Sequence, residues 1–332
     1  MIELVKYKDN MINEWDYFID QSKNGTIFHY RDFLSYHIDR EFIDSSVIFK
    51  KRGETIAVFP SAIKNELNKK ILFSHPGASF GGVVMKKTIS LGDILEILNS
   101  IENYALEKGA EELTIIPTPL IYNKNNDESL LYALKWRNYL EKEQYYSSII
   151  PINNNLEKQC QLICKNNGRS FDYYDKIIQN NNLKICWSNK FEDFYPILEK
   201  DKQKYSSKPT HSINELVKLK KLFPKKIKLL SVYKGTQTIG GSVIFITNSK
   251  TAVIFYNSIN YDYADLQIAT IQIIELIKWA HLDNIKYLDF GVSHKAETAT
   301  PLAPKMSLIK FKENFNSFGT MRFVYNKKLD VK

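Results

Sequence analysis

The sequence predicts a duplicated α/β fold, and three observations indicate it. Two runs of β-branched and aromatic residues, each split by a turn that contains glycine, predict β-hairpins over residues 46–59 and 229–245. Long helical patterns follow both hairpins, over residues 91–108 and 265–282, and each leads into another strand. Because these patterns recur at nearly one offset along 332 residues, we expect two α/β domains with mixed sheets flanked by helices.

The first predicted domain covers residues 1–152. A helix over residues 12–22 precedes the hairpin, and a strand over residues 71–73 follows it. The next segment, Ser74–Gly82, holds three glycines and a proline, a composition that lets backbone approach another surface closely. The helix over residues 91–108 then leads into a strand at residues 112–116. Asparagine-rich loops at residues 123–127 and 153–155 place the domain boundary near residue 152.

The second predicted domain covers residues 153–332, and its last strand could pack on the first domain. Its predicted elements are a helical segment over residues 156–182, a strand over 183–187 and a helix from Phe191 to about Tyr205. Ser212 followed by Glu215 has the pattern of a capping box, which predicts a helix start. The helix over residues 265–282 is apolar on nearly every side, so we expect it to be covered by protein all round.

Composition is that of a globular protein, with 44% hydrophobic and 25% charged residues. No apolar run reaches the roughly 18 residues of a membrane span, and residues 1–6 lack the order of a signal peptide, so we expect a cytoplasmic protein. Cys160, Cys164 and Cys186 lack zinc-ligand spacing, which favours small core residues over a metal site. The net charge of +9 favours encounter with anionic ligands, although the lysines could equally form a solvated surface.

The C-terminal region carries a resemblance to a known family. Tyr287–Ser293 followed by Leu308–Phe315 resembles the D-F-G-x-S…L-x-x-F-K-x-x-F signature of the Fem-like branch of the GNAT acyltransferases. Tyr256–Ser258 and Lys208–Ser212 match the family's order as well. The resemblance extends from about residue 25 to residue 325. It implies two tandem GNAT-like domains in one chain.

The resemblance also implies an activity, because the branch includes enzymes that transfer amino acids from aminoacyl-tRNA to peptidoglycan precursors. It places a phenylalanine–lysine pair, here Phe311 and Lys312, at the acyl-donor end of the last helix. A fixed cation there would stabilise the oxyanion that forms when an amine attacks an ester or thioester. The alternative is one exposed charge on a helix surface, and we expect Lys312→Ala to leave the fold intact.

Acceptor-side positions of the family match this sequence less closely. A basic residue that grips the precursor's diphosphate corresponds to His37, four residues after the aromatic Phe33. Arg31 belongs to the same predicted substrate-binding set. An acidic residue before a proline in the family corresponds here to Ile116. These departures leave the identity of the acceptor open.

Other candidate site residues each have a structural alternative. Tyr256 could exchange a proton with the amine or could simply pack. Ser293 follows a strand end, where open α/β sheets tend to place ligand groups. The remaining candidates for substrate binding are basic side chains in loops or near helix starts, which could equally be satisfied by backbone or solvent: His75, Arg169, Lys208 and His211.

The predicted start of the helix at residue 265 argues against standard coenzyme A binding. A pyrophosphate needs bare N–H groups at a helix start, but residues 259–267 hold no glycine and include Asp262 and Asp265. We therefore expect weak acetyl-CoA binding, no metal, and no resident cofactor beside the acyl donor.

The function predicted from the sequence is transfer of an acyl or aminoacyl group onto an amine of a cell-envelope or glycan precursor. Aminoacyl-tRNA or acyl-CoA would be the anionic donor and co-substrate, and a nucleotide- or lipid-linked sugar or peptide the acceptor, with peripheral membrane contact. The alternatives are an acyl-CoA-dependent N-acyltransferase of an amino sugar and a catalytically silent ligand-binding module.

Overall fold

The computed structural model describes residues 1–66, 68–204, 206–294 and 302–330. Contacts divide the chain into two compact units. The first unit consists of Met1–Tyr145 and Met321–Lys332, and the second consists of Tyr146–Thr320. The division thus falls a few residues before the predicted boundary, and the last strand returns to the first unit.

The first unit is an α/β structure. Its strands are β1 (Glu3–Lys6), β2 (Ile43–Asp44), β3 (Val47–Lys51), β4 (Glu54–Phe59), β5 (Ser61–Glu66), β6 (Lys69–Ser74), β7 (Val84–Met85) and β8 (Glu112–Ile115). Its helices are α1 (Ile12–Gln21), α2 (Arg31–Leu34), α3 (Leu91–Glu107) and α4 (Ser129–Trp136). The long strand β9 (Leu140–Pro151) carries the chain into the second unit.

The predicted hairpin of the first unit is present as β3 and β4. Arg52 and Gly53 at its turn have φ of 54° and 80°, the left-handed geometry of a tight hairpin turn. One antiparallel sheet has the strand order β1-β3-β4-β7, and a second set of strands has the order β2-β5-β6-β8. The pair β6 and β8 is parallel because α3 connects the two strands as a crossover.

The second unit is also an α/β structure. Its helices are α5 (Leu156–Asn166), α6 (Tyr173–Asn180), α7 (Phe191–Gln203), α8 (Ile213–Leu222), α9 (Ile268–Leu282) and α10 (Met306–Glu313). Its strands are β10 (Leu183–Ser188), β11 (Ile227–Lys234), β12 (Gln237–Ile246), β13 (Thr251–Ile259) and β14 (Tyr287–Val292). The final strand, β15 (Phe318–Lys328), carries the chain back and pairs with β8.

The sheet of the second unit has the strand order β10-β11-β12-β13-β14-β9. All pairs are antiparallel except β13 and β14, which α9 connects as a crossover. Ten of the 15 residues of α9 are buried, so the helix is covered over most of its surface, as its apolar sequence predicts. The capping box is also present, since Ser212 Oγ accepts from the Glu215 N–H at 3.2 Å and Glu215 Oε2 accepts from the Ser212 N–H at 2.9 Å.

Two predicted helical boundaries are wrong. The single segment expected over residues 156–182 is two helices, α5 and α6, because Gly168 takes φ of 66° and ends α5. The helix expected from residue 265 begins at Ile268, after a short 3-10 turn over Tyr261–Leu266. The end expected for α7, Tyr205, lies outside the described residues.

Candidate active site

The carboxyl end of β14 carries a buried carboxylate. Asp289 is fully buried, and its Oδ1 accepts hydrogen bonds from the Ser147 hydroxyl at 2.9 Å and the Gly291 N–H at 2.7 Å. Gly291 has φ of 72°, which glycine adopts without steric cost, and the pairing with β9 is irregular here. Asp289 therefore fixes a bend in the last residues of the strand.

Lys312, on α10, binds this bend. Its Nζ donates to the carbonyl oxygens of Gly291 at 2.8 Å and Val292 at 3.2 Å. The Nζ also lies 5.4 Å from the centre of the Phe290 ring, a cation–π distance. Since the side chain is only 3% exposed, the expectation of a helix-surface charge with little packing is wrong. Removing this ammonium would leave two carbonyls without its hydrogen bonds.

Ser293 follows β14 directly and is fully buried. Its N–H donates to the Tyr146 carbonyl at 3.3 Å, and its own carbonyl accepts from the Lys305 N–H at 3.0 Å. Within the described parts of the chain, its Oγ has no hydrogen-bond partner. Buried hydroxyls in folded proteins are nearly always bonded. Ser293 is therefore a candidate for a ligand contact at the same strand end as Lys312.

Phe311 belongs to an aromatic cluster between α10 and β14. The centre of its ring lies 6.1 Å from that of Phe290 and 5.2 Å from that of Phe315, both in edge-on arrangements. Such pairs contribute about 0.5–1.5 kcal/mol beyond the burial of their area. This packing fixes the helix that carries Lys312.

Tyr256, on β13, and His211 form a buried pair. The Tyr256 hydroxyl accepts from the His211 N–H at 3.1 Å and lies 2.9 Å from His211 Nδ1, while Tyr195 donates to the His211 carbonyl at 3.1 Å. Burial raises the pKa of Tyr256 to about 12. His211 is only 2% exposed, so the structure uses it to hold the start of α8 and does not present it as an open phosphate contact.

The other two basic candidates of the second unit are on its surface. Lys208 is exposed. Arg169 is exposed as well, and its guanidinium lies 4.5 Å from the centre of the Tyr173 ring. Both could meet an anion, and neither is fixed by burial.

In the first unit, His37 and His75 converge on the Ser74–Gly82 loop. His37 Nε2 lies 2.9 Å from the Gly77 carbonyl, and the Gly77 N–H donates to His75 Nδ1 at 3.3 Å. The ring of Phe42 contacts both imidazoles edge-on, with centres 5.2 and 5.1 Å away. His37 Nδ1 also accepts from Arg40 at 2.8 Å. Both histidines thus hold the loop, and a phosphate clamp at His37 would require one of these bonds to be released.

Burial sets the charge state of this histidine cluster. His75 is 3% exposed, and its burial lowers the pKa to about 3. His29, whose Nε2 lies 2.7 Å from the Gly81 carbonyl and whose Nδ1 accepts from the Thr26 N–H at 3.0 Å, has its pKa lowered by burial to about 4. Two neutral histidines therefore fix this loop at physiological pH.

Arg31 is held by the first unit itself. Its guanidinium forms an ion pair with Asp44, donates to Ser46 Oγ at 3.0 Å, and lies 3.8 Å from the centre of the Tyr7 ring. Its side chain is 11% exposed. These contacts give Arg31 a structural role, and a substrate could contact only the small part of its side chain that is exposed.

The start of α9 carries the two carboxylates on which the argument from sequence about coenzyme A depends. The chain reaches it through the 3-10 turn that contains the exposed Asp262 and Asp265. Gln267, at the helix start, has φ of 55° and makes no capping hydrogen bond with its side chain. The two exposed carboxylates make this helix start unfavourable for a pyrophosphate.

Sequence reasoning missed a polar network in the second unit. Gln272 on α9 is fully buried, and its Oε1 accepts from the Ser242 hydroxyl at 3.3 Å. The Ser242 hydroxyl also lies 2.6 Å from Asn257 Oδ1. On the same strand as Asn257, the Ser258 hydroxyl donates to Asp201 at 2.7 Å. The signal in the sequence is a glutamine flanked on both sides by isoleucines within a helix, together with polar residues in a buried strand.

The remaining site predictions concern metals, thiols and membranes. Cys160, Cys164 and Cys186 are free, and Cys164 is buried. Among the described residues, no group of three histidine, cysteine or acidic side chains is arranged to hold a metal ion. Within those same residues, no helix combines the length and the hydropathy needed to cross a bilayer.

Comparisons with known proteins connect this geometry to a fold. No protein-family model matches the chain, and no curated protein matches it. The solved structure of FemX is similar over 99% of this chain and 98% of that chain, with a TM-score of 0.75 and 11% identity. L-PGS from Bacillus licheniformis has a TM-score of 0.57 at 8% identity, covering 94% of this chain and 90% of that chain.

A third similarity is to a tandem GNAT protein from the clavulanic acid biosynthesis pathway. Its TM-score is 0.53 at 7% identity, and the similarity covers 99% of both chains. The fold predicted from the sequence is confirmed. The chain has the tandem GNAT fold.

Proposed function

We propose that the protein is a transferase that moves an acyl or aminoacyl group onto an amine. The observation that carries the proposal is the similarity to FemX, which spans nearly the whole of both chains. The position of Lys312, a buried cation fixed at the carboxyl end of β14, supports it. Strand ends of this kind are where α/β sheets place ligand groups.

In the proposed reaction the amine nitrogen attacks the acyl carbonyl of an ester or thioester. The new C–N bond forms, the C–O or C–S bond breaks, and the proton lost by the amine goes to the leaving group. Lys312 would stabilise the negative charge that develops on the carbonyl oxygen, and Ser293 would donate its O–H to the same site. The ammonium of Lys312 is held beforehand by its two carbonyl hydrogen bonds, so little reorganisation of this group is needed during the reaction.

Tyr256 is proposed as a positioning residue in this mechanism. Its hydroxyl is already bonded to His211, and a pKa of about 12 makes it a poor source of a phenolate base at neutral pH. Its contribution would be to fix the segment before α8.

The substrates proposed are those expected from the sequence. The donor would be aminoacyl-tRNA or an acyl-CoA, and the acceptor an amine on a cell-envelope or glycan precursor, met in the cytoplasm. The name lysylphosphatidylglycerol synthetase, carried by one protein of similar fold, supports a lipid-linked acceptor as one member of this class. The net charge of +9 favours an anionic donor.

The test is a pair of transfer assays, one with charged tRNA and one with acyl-CoA. We expect transfer from one donor, and a loss of about 10²-fold in turnover for Lys312→Met, as when one oxyanion donor is removed. Lys312→Arg should retain part of the activity. Lys310→Met is the matched control, because Lys310 lies exposed on the same helix.

Three outcomes discriminate the alternatives. Transfer from acyl-CoA alone would identify an acyl-CoA-dependent N-acyltransferase. A folded protein that transfers from neither donor, while still binding a glycan or nucleotide-linked ligand, would be a silent binding module. A folded Lys312→Met variant with normal turnover would remove Lys312 from the mechanism.

A further inference from the structure

A polar groove in the second unit lies apart from the strand end that holds Lys312. It has a volume of about 560 Å³ and lies between the end of β9, one side of α5, and Asn316. That volume is in the range of small-ligand sites. The side chains that matter for its chemistry are Asn154, Lys158, Gln161, Leu162, Lys165 and Asn316.

The charged side chains that line the groove are both lysines, and the nearest acid shown beside them is Glu157, which is bonded to Gln161. Lys158 and Lys165 are seven residues apart on α5, so they lie on one face of the helix about 10 Å apart along its axis. Neither lysine forms an ion pair with a described residue, and no aspartate or glutamate lines the described walls. Two cations are thus presented at the two ends of one groove.

Amide side chains and one apolar side chain lie between and beside these cations. Gln161 donates its Nε2 to Glu157 at 3.2 Å, which leaves its amide oxygen available to the groove. Asn154 and Asn316 are exposed at the rim. Leu162, 38% exposed, gives an apolar surface on the same helix. Amides that can accept and donate, beside an apolar surface, suit a ligand with several hydroxyl groups.

The floor of the groove is fixed. Gln159 is only 4% exposed, and its side chain bonds both ways: Oε1 accepts from the Asn153 N–H at 2.9 Å, and Nε2 donates to the Pro151 carbonyl at 2.7 Å. Asn155 caps α5 by accepting from the Lys158 N–H at 2.8 Å. These bonds hold the loop and the helix in one arrangement, so the groove is preformed.

We propose that this groove binds a polyhydroxyl unit that carries a phosphate at each end. Lys158 and Lys165 would each bind one phosphate, and the amides of Gln161, Asn154 and Asn316 would bind the hydroxyls between them. Two sources have this chemistry, a free sugar bisphosphate and the phosphate–ribose–phosphate repeat of single-stranded RNA. The proposal does not depend on acyl transfer.

Calorimetric titration of the full chain tests the proposal with four probes. These are fructose 1,6-bisphosphate, a single-stranded RNA hexamer, inorganic phosphate and fructose. We expect one of the first two to bind at least tenfold more tightly than phosphate, because two charged contacts and the amides act together. Whichever of the two binds more tightly identifies the source, and competition between them should show one shared site.

Variants assign the binding to the groove. Lys158→Gln and Lys165→Gln should each weaken binding about tenfold, as expected for loss of one charge-assisted contact. Lys190→Gln, an exposed lysine of the same unit outside the groove, should have no effect. Asn154→Asp should also weaken binding without destabilising the fold, because an acid beside a helix start is favourable to the helix.

The proposal is overturned by any of three results. Phosphate binding as tightly as both larger probes would indicate a single adventitious anion. Binding that survives in the Lys158→Gln, Lys165→Gln double variant would place the ligand elsewhere. An absence of binding for every probe at millimolar concentration would leave the groove without this function.

Discussion

β8 and β14 occupy corresponding positions in the two units, since each follows the long helix of its unit and is parallel to a strand that comes before that helix. Their carboxyl ends are nevertheless built differently. After β8, neutral groups close the end: the Gly81 N–H donates to the Ile116 carbonyl at 3.1 Å, and the Ile116 N–H donates to the Ser74 hydroxyl oxygen at 2.8 Å. After β14, the carboxylate of Asp289 and the ammonium of Lys312 take that role.

The difference is one of charge, because ionised side chains hold the end of β14 and neutral groups hold the end of β8. A buried lysine fixed next to a strand end can stabilise negative charge that develops on a ligand bound there.

Lowering the pH should destabilise the first unit. Burial lowers the folded pKa values of His29 to about 4 and His75 to about 3, whereas an unfolded histidine titrates near 6.5. The unfolded state therefore binds protons first, and stability that is complete above about pH 6.5 is lost as the pH falls toward those values. At pH 4.5 we expect a loss of about 3 kcal/mol per histidine, measured by urea unfolding.

The control for this titration is His75→Gln, which should be less stable at pH 7 but should depend less steeply on pH. If the variant retained the full pH dependence, His75 would not be a group that couples protons to unfolding.

Replacing glycine with alanine should destabilise the protein by different amounts at the two strand ends. Gly82 has φ of 59°, and an added Cβ would lie 2.8 Å from Pro117 Cα, so Gly82→Ala combines left-handed strain with a backbone clash. We expect a cost of about 3 kcal/mol. Gly291→Ala meets no atom within 4 Å and should cost only the strain, about 1–2 kcal/mol. If thermal unfolding showed that Gly82→Ala and Gly291→Ala lower the free energy of unfolding equally, backbone crowding would not distinguish the two strand ends.

Lys312→Met tests the second strand end by stability alone. The variant keeps the length of the side chain but removes the donor to the Gly291 and Val292 carbonyls, so we expect a loss of about 2 kcal/mol in denaturant unfolding. Lys310→Met should leave the midpoint unchanged. A Lys312→Met variant as stable as the parent would contradict the structural role, whatever its activity.

Tyr256→Phe should have the smallest effect. It removes the hydroxyl that accepts from the His211 N–H, and one such bond contributes about 1 kcal/mol. Tyr17→Phe, at a tyrosine that is 70% exposed, is the control. A cost well above that of one hydrogen bond would show that the start of α8 depends on this pair more than the geometry indicates.

The sequence was sufficient to predict the framework of the fold. Turn glycines such as Gly53 mark hairpins, and the capping box at Ser212 marks a helix start, because each depends on a few neighbouring residues. The break at Gly168 is not predictable in this way, since an isolated glycine in a helical pattern does not by itself decide between a break and a continuous helix.

Side-chain placement at the site was harder to predict. Lys312 can be identified as a candidate from a motif. The residues next to it in the sequence do not indicate, however, that its Nζ lies against carbonyls of a strand some twenty residues earlier. The same holds for His29, which is an ordinary residue in sequence and a buried link between two loops in the structure. Burial of polar atoms depends on contacts distant in sequence, which local patterns do not record.

The return of β15 to the first unit has a consequence for how the chain is made. Pairing of β8 with β15 joins Ile115 to Tyr325, and Lys327 forms an ion pair with Glu102 at 2.8 Å. A ribosome that adds about 5–20 residues per second must synthesise the whole second unit before these partners emerge. For that interval, on the order of tens of seconds, β8 is an open sheet edge able to pair with other chains. In the nascent polypeptide, β8 in the first unit is therefore exposed to aggregation until the second unit and β15 have been synthesised.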